Sequence, residues 1–88
     1  MSLAIEVSAE DIKNGYASNY HMCPVALSIG RSCPSAHHIT VTAGGISVFY
    51  PDGQFSDYSV SRGLRRFILQ FDDGMCVEPA RFRLRERS

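Results

Sequence analysis

Two periods organise the apolar positions of this chain. Leu3, Ile5 and Val7 alternate with Ala4 and Glu6, the mark of a strand with one buried face. The same period of two returns where Ile39 and Val41 stand between Thr40 and Thr42, and again in Ile46, Val48 and Tyr50. Gly44-Gly45 punctuates these runs. Pro51-Asp52-Gly53 marks a second turn, with Pro fixing φ and Gly free to take φ > 0. A further strand is expected from Phe55 to about Val60, completing a β-meander. Near the C-terminus Phe82 and Leu84 alternate with Arg81, Arg83, Arg85 and Arg87, which predicts a strand with one apolar face and one arginine face.

The second period is helical. Leu64, Phe67, Ile68 and Phe71 stand at i, i+3, i+4 and i+7, with Ser61 or Ser59 as N-cap and Gly74 just past the end. Val25, Ala26 and Ile29, with Leu27 beside them, predict a shorter helix opened by Pro24, whose missing N–H costs nothing in a first turn. Gly30 weakens that helix and Cys33-Pro34 ends it. Ser8 and Asp11 have the spacing of a capping box, and Gly15 closes one or two turns after it. Together these elements predict an α+β fold. It is a single small domain over residues 1–88, a mainly antiparallel sheet (meander plus terminal strands) with two short helices packed on one face and residues 86–88 frayed.

Length and composition narrow the class. A chain of 88 residues makes one domain, and 44% apolar residues suffice for one core. The formal net charge is zero, so no bulk field draws in nucleic acid or anionic lipid. The charge is nevertheless polarised. In residues 1–60, Lys13 and Arg31 stand against Glu6, Glu10, Asp11, Asp52 and Asp57, whereas residues 61–88 hold seven arginines against four carboxylates. No apolar run approaches the roughly 20 residues of a membrane span, and no signal-peptide core follows Met1. Three cysteines without an export signal are expected to be reduced thiols of a cytoplasmic protein.

The segment NYHMCPVALSIGRSCP (residues 19–34) holds the candidate chemistry. Cys23 at a helix N-cap would feel the helix dipole, and His21 stands two residues before it as a possible base. A buried structural cysteine is the preferred reading, because no orienting carboxylate or catalytic signature accompanies the pair. His21, Cys23, Cys33, His37, His38 and Cys76 supply zinc donors, but only Cys33 and His37 have tidy ligand spacing. No catalytic residue, metal site or cofactor is therefore assigned. P-loop, G-x-G-x-x-G and G-x-S-x-G motifs are absent.

The arginines are the other candidates. Arg62, Arg65 and Arg66 fall on the polar side of the second helix, and Arg81, Arg83 and Arg85 on one strand face. Presented together they would make a bidentate phosphate-binding patch. The neutral total favours instead a solvated face paired with Glu6, Glu10, Asp11 or Glu86. Tyr16 and Tyr20, with the arginines, have the residue types of a protein interface.

DIKNG (11–15), CPVALSIGR (23–31), RFILQFDDG (66–74) and VEPARFRL (77–84), taken together, resemble a family of small, mostly uncharacterised proteins of bacteriophages, prophages and some bacterial genomes. Cys33, Cys76 and the YPDGQFSDYSVS excursion depart from that pattern, which argues against a shared zinc site. The resemblance implies a phage-type accessory protein without an assigned activity. The expectation is a non-enzymatic, cytoplasmic protein that binds a host or phage protein, a defence factor included, or self-associates as a homodimer. The alternative is binding of a small anionic ligand or nucleic acid through the arginines. A Cys23-dependent enzyme or zinc protein ranks behind both.

Overall fold

The computed structural model describes residues 2–87. Its elements are β1 (Ser2–Val7), α1 (Ala9–Asn14), α2 (Pro24–Ser32), β2 (His38–Thr42), β3 (Gly45–Phe49), β4 (Phe55–Ser59), α3 (Arg62–Asp72) and β5 (Ala80–Glu86). The strands form one antiparallel sheet in the order β1-β5-β4-β3-β2. The predicted α+β fold is therefore the observed one.

Register turns the alternation of each strand into two faces of one sheet. Leu3 pairs with Leu84 and Ile5 with Phe82; Ile46 pairs with both Tyr58 and Val41, and Val48 with Ile39. These residues form the core face. Ile5, Val7, Val41, Ile46, Val48, Tyr58 and Leu84 are buried there, with Leu3, Ile39 and Phe82 half-buried around them. Val25, Ala26 and Ile29 of α2 and Leu64, Phe67 and Ile68 of α3 complete the same cluster. Burying each such aliphatic or aromatic side chain contributes about 1.5–3 kcal/mol. The sheet is curled, and α2 lies against both of its edge strands, β1 and β2.

Local chemistry sets the ends of the helices. Ser8 and Asp11 form a reciprocal capping box, with the Asp11 N–H donating to Ser8 Oγ at 3.2 Å and the Ser8 N–H to Asp11 Oδ2 at 2.9 Å. Ser61, not Ser59, caps α3, accepting from the Leu64 N–H at 3.2 Å. Gly53 and Gly74 take φ of +87° and +79°, as a turn and a helix C′ position require. Gly15 matters for space rather than for φ. A Cβ there would lie 2.7 Å from the Pro24 nitrogen, so the exit of α1 and the entry of α2 touch through a glycine.

Four expectations change. The turns after Ser8 form a helix of their own, giving three helices in place of two. The β2–β3 turn is Ala43-Gly44, while Gly45 already pairs with Thr42 as the first residue of β3. Phe71 is half-buried and outside the core cluster that holds Leu64, Phe67 and Ile68. Glu86 belongs to β5, and the Arg87 N–H donates to the Asp57 carbonyl at 2.8 Å, so neither is frayed; Ser88 lies outside the described residues.

Asp11 is the one buried carboxylate among the described residues, and Arg31 of α2 pairs with it while donating to the Glu6 carbonyl at 2.8 Å. Burial alone pushes the Asp11 carboxyl up. The hydrogen bonds from Arg31 and Ser8 outweigh it, holding the group below its ordinary value. A depressed carboxylate contributes stability fully present above the unfolded pKa of about 3.9 and lost as pH falls through the folded value. In urea unfolding, Asp11→Asn should therefore be destabilised at neutral pH, and its gap from the parent should shrink below about pH 4. Gly15→Ala should lower stability by about 1–3 kcal/mol through overpacking against Pro24, read in the same titration.

Candidate functional site on the uncovered sheet face

The arginines predicted to act together stand on two sides of the molecule. Phe67 of α3 meets Phe82 of β5 edge-on, with centroids 5.6 Å apart. Phe82 alternates with Arg81 and Arg83, so those arginines and Arg85 point away from the helices. Arg62, Arg65 and Arg66 lie on the solvent side of α3, opposite Leu64, Phe67 and Ile68. Tyr16 and Tyr20 are exposed on the loop between α1 and α2, a third location. Period alone could not reveal this separation, since it depends on which face of β5 the helix covers.

The face without helices is continuous across all five strands. Ala4 and Glu6 lie on β1; Arg81, Arg83 and Arg85 on β5; Ser59, Asp57 and Phe55 on β4; Gly45, Ser47 and Phe49 on β3; Thr42, Thr40 and His38 on β2. Among the described residues it carries no Val, Ile, Leu or Met. Arginines occupy one end and rings the other.

The ring end is a row that runs across three strands. His38 pairs with Phe49, and Phe49 with Phe55. The His38–Phe49 centroids are 6.0 Å apart and the Phe49–Phe55 centroids 5.7 Å, the latter stacked at 29°. His21 extends the row from the loop, 4.4 Å from His38. Phe55 is 59% exposed and Phe49 38%. Sequence spacing scatters these four residues over positions 21 to 55, and only register collects them. The sequence signal was a ring at each outward position of the hairpin ends, His38, Phe49 and Phe55.

Polar contacts tie down the rest of the face. Arg81 Nε donates to Glu6 Oε2 at 2.8 Å, in an exposed pair of little energetic weight. Ser47 Oγ donates to Asp57 Oδ1 at 2.6 Å. Arg87 reaches over β4 to donate from Nη2 to the Gly44 carbonyl at 2.6 Å, and a Cβ on Gly45 would lie 3.1 Å from that nitrogen. Among the described residues, Arg83 and Arg85 have no carboxylate partner. An open depression of about 610 Å³ beside β1 and β5 is lined from both sides of the sheet, by Ile5, Phe82 and Ser32 of α2 as well as by Arg81 and Arg83.

The thiols and histidines are arranged differently from a reactive site. Cys23 is the N-cap of α2, 5% exposed, with no side-chain cap bond. Burial pushes its thiol up despite the neighbouring backbone N–H groups of α2. His21 is turned to β2, where its Nδ1 meets the Ile39 carbonyl at 3.0 Å. A carbonyl only accepts, so Nδ1 carries the proton. Cys33 is half-buried and Cys76 exposed; all three cysteines are free. Among the described residues, no three His, Cys, Asp or Glu side chains converge as metal donors, and no helix is long and apolar enough to cross a membrane.

No protein-family model matches this chain, and neither a curated protein nor a solved structure is significantly similar to it. The alkylation order follows from burial: Cys76 should react first with iodoacetamide, Cys33 more slowly, and Cys23 only at the rate of unfolding. Peptide mass spectrometry over time reads that order.

Proposed function

We propose that the protein is a non-enzymatic binding module, an accessory protein of the phage type its sequence resembles, which holds another macromolecule on the uncovered face of its sheet. One observation carries this: the exposed row His38–Phe49–Phe55, extended by His21, lies on the same face as the unpaired Arg83 and Arg85. Aromatic rings and arginines are the side chains that carry most of the energy at recognition surfaces. A Cys23 nucleophile, the reading ranked behind both others, lacks support in the geometry. Its sulfur is buried, its proton is held more tightly than usual, and His21 is bonded elsewhere.

Affinity capture from bacterial lysate tests the face, with protein and nucleic acid in the eluate both quantified. Phe49→Ser with Phe55→Ser should lose what the parent captures. Arg62→Glu, Arg65→Glu and Arg66→Glu together, on the helix side, should keep it. Loss with the helix variant and retention with the sheet variant would place the working surface on α3 instead.

A further inference from the structure

From the composition and geometry of this face we infer that its occupant is single-stranded nucleic acid, with bases stacked on Phe55, Phe49 and His38 and the backbone phosphates led toward Arg85 and Arg83. The inference rests on the binding face proposed above and names its ligand.

Three features select that chemistry. The first is what the face lacks. The core of a protein interface is more apolar than the surface around it and, arginine apart, poor in charge. Here the face offers flat rings, hydroxyls and guanidinium groups, with Ala4 as its one aliphatic side chain among the described residues. Nucleobases need flat rings, and phosphates need guanidinium groups.

The second is spacing. Phe55 and Phe49 are directly opposed on neighbouring strands, and His38 opposes Phe49 on the next. Successive platforms are thus about 5–6 Å apart across the strands, within reach of neighbouring bases on an extended chain. Every base has a π-face, so such a platform binds without demanding a sequence. Four residue steps along β4 separate Phe55 from Ser59, the neighbour of Arg85, a distance of about 13 Å. Arg83 and Arg85 continue the path at a two-residue step of about 7 Å along β5.

The third is charge. Arg81, Arg83, Arg85 and Arg87 share this side of the sheet with Glu6 and Asp57. Arg81 answers Glu6, and Asp57 is half-buried beneath the Ser47 hydroxyl. Among the described residues Arg83 and Arg85 are left unneutralised, so the face is cationic on a chain that is neutral overall. The protein's zero net charge therefore argues against broad electrostatic attraction and not against this local patch.

A duplex suits the face poorly, since its bases are already stacked on one another and hidden from the rings. The test is fluorescence anisotropy of the whole protein with labelled oligothymidylate, oligouridylate and a hairpin duplex of the same length, at low and high salt. The single strands should bind and the duplex should bind at least tenfold more weakly. Phe49→Ala and Phe55→Ala should each weaken single-strand binding about tenfold, the stacking loss of one base. Arg83→Gln with Arg85→Gln should weaken it and flatten its salt dependence by close to two phosphates' worth. Circular dichroism checks that each variant is folded, and Phe55→Trp, which keeps a larger π-face, should restore or exceed parental affinity. Arg62→Gln, Arg65→Gln and Arg66→Gln on the helix side should change nothing. Equal binding of duplex and single strand, or absence of binding at low salt, overturns the inference. A nuclease-resistant protein captured through Phe49 and Phe55 overturns it too, as does a dimer in sedimentation that those substitutions dissolve. In those two cases the binding face itself stands and only its ligand changes.

Discussion

Among the described residues β4 and β5 meet over two residue pairs, Tyr58 with Glu86 and Ser59 with Arg85. Everything else in the sheet belongs either to the β1–β5 ribbon or to the β2–β3–β4 meander. A two-stranded ribbon is at best marginal alone in water. What makes one sheet of the two parts is therefore the apolar layer beneath the seam. Leu84 comes from the ribbon, Tyr58 and Ile46 from the meander, and Leu64 from the helix that connects β4 to β5. α2 works from the other side, bearing on β1 and β2 at opposite edges of the curled sheet. Arg87 adds polar stitching, its N–H on the Asp57 carbonyl and its guanidinium on the Gly44 carbonyl. The ladder at the seam is short, so the core must do what hydrogen bonds do in a longer one.

That constraint also leaves one face of the sheet uncovered. A chain of this length has enough apolar side chains to cover one side of five strands, and the strand period of two commits the other side to water. Serines, threonines and arginines meet this requirement at no cost. Phe55 at 59% exposure does not, because a cross-strand ring pair contributes only about 0.2–1 kcal/mol to the sheet. The rings are placed where the fold gains little from them and a ligand would gain much.

The elements were legible in the sequence because each is built on local periodicity. The alternation in Leu3–Val7 and Phe82–Leu84, the helical spacing of Leu64, Phe67 and Ile68, and the φ > 0 glycines at 53 and 74 all depend on neighbours within a few residues. Strand order is not local. Insertion of β5 between β1 and β4 puts the arginine stripe on an interior strand near one end of the sheet and turns it away from α3. The single patch imagined from Arg62–Arg66 and Arg81–Arg85 was divided by that topology. Arg31, a residue without obvious role in the sequence, takes Asp11, while the strand arginines are left with Glu6 alone. Phe71 keeps its place in the helical pattern but stays out of the core cluster, a limit that amphipathicity does not encode. The ring row was least legible, because it is a product of register across β2, β3 and β4.

The stretch that looked like chemistry in the sequence has a part in this face after all, through its backbone. β2 is an edge strand, and an edge with free N–H and C=O groups invites another strand. The loop before α2 occupies it: the Val41 N–H donates to the Tyr20 carbonyl at 2.8 Å, and His21 Nδ1 donates to the Ile39 carbonyl. Asn19 holds that loop in shape, its Oδ1 accepting from the His21 and Met22 N–H groups at 3.0 and 2.9 Å. Cys23 and Pro24 then lead directly into α2, whose burial anchors the segment. His21 is thereby fixed at the end of the ring row as a donor to β2, its ring tilted at 54° to that of His38. A platform whose rings are held before the ligand arrives spends less of its stacking energy on ordering them. The NYHMCP segment thus acts as a clamp on the edge of the uncovered face.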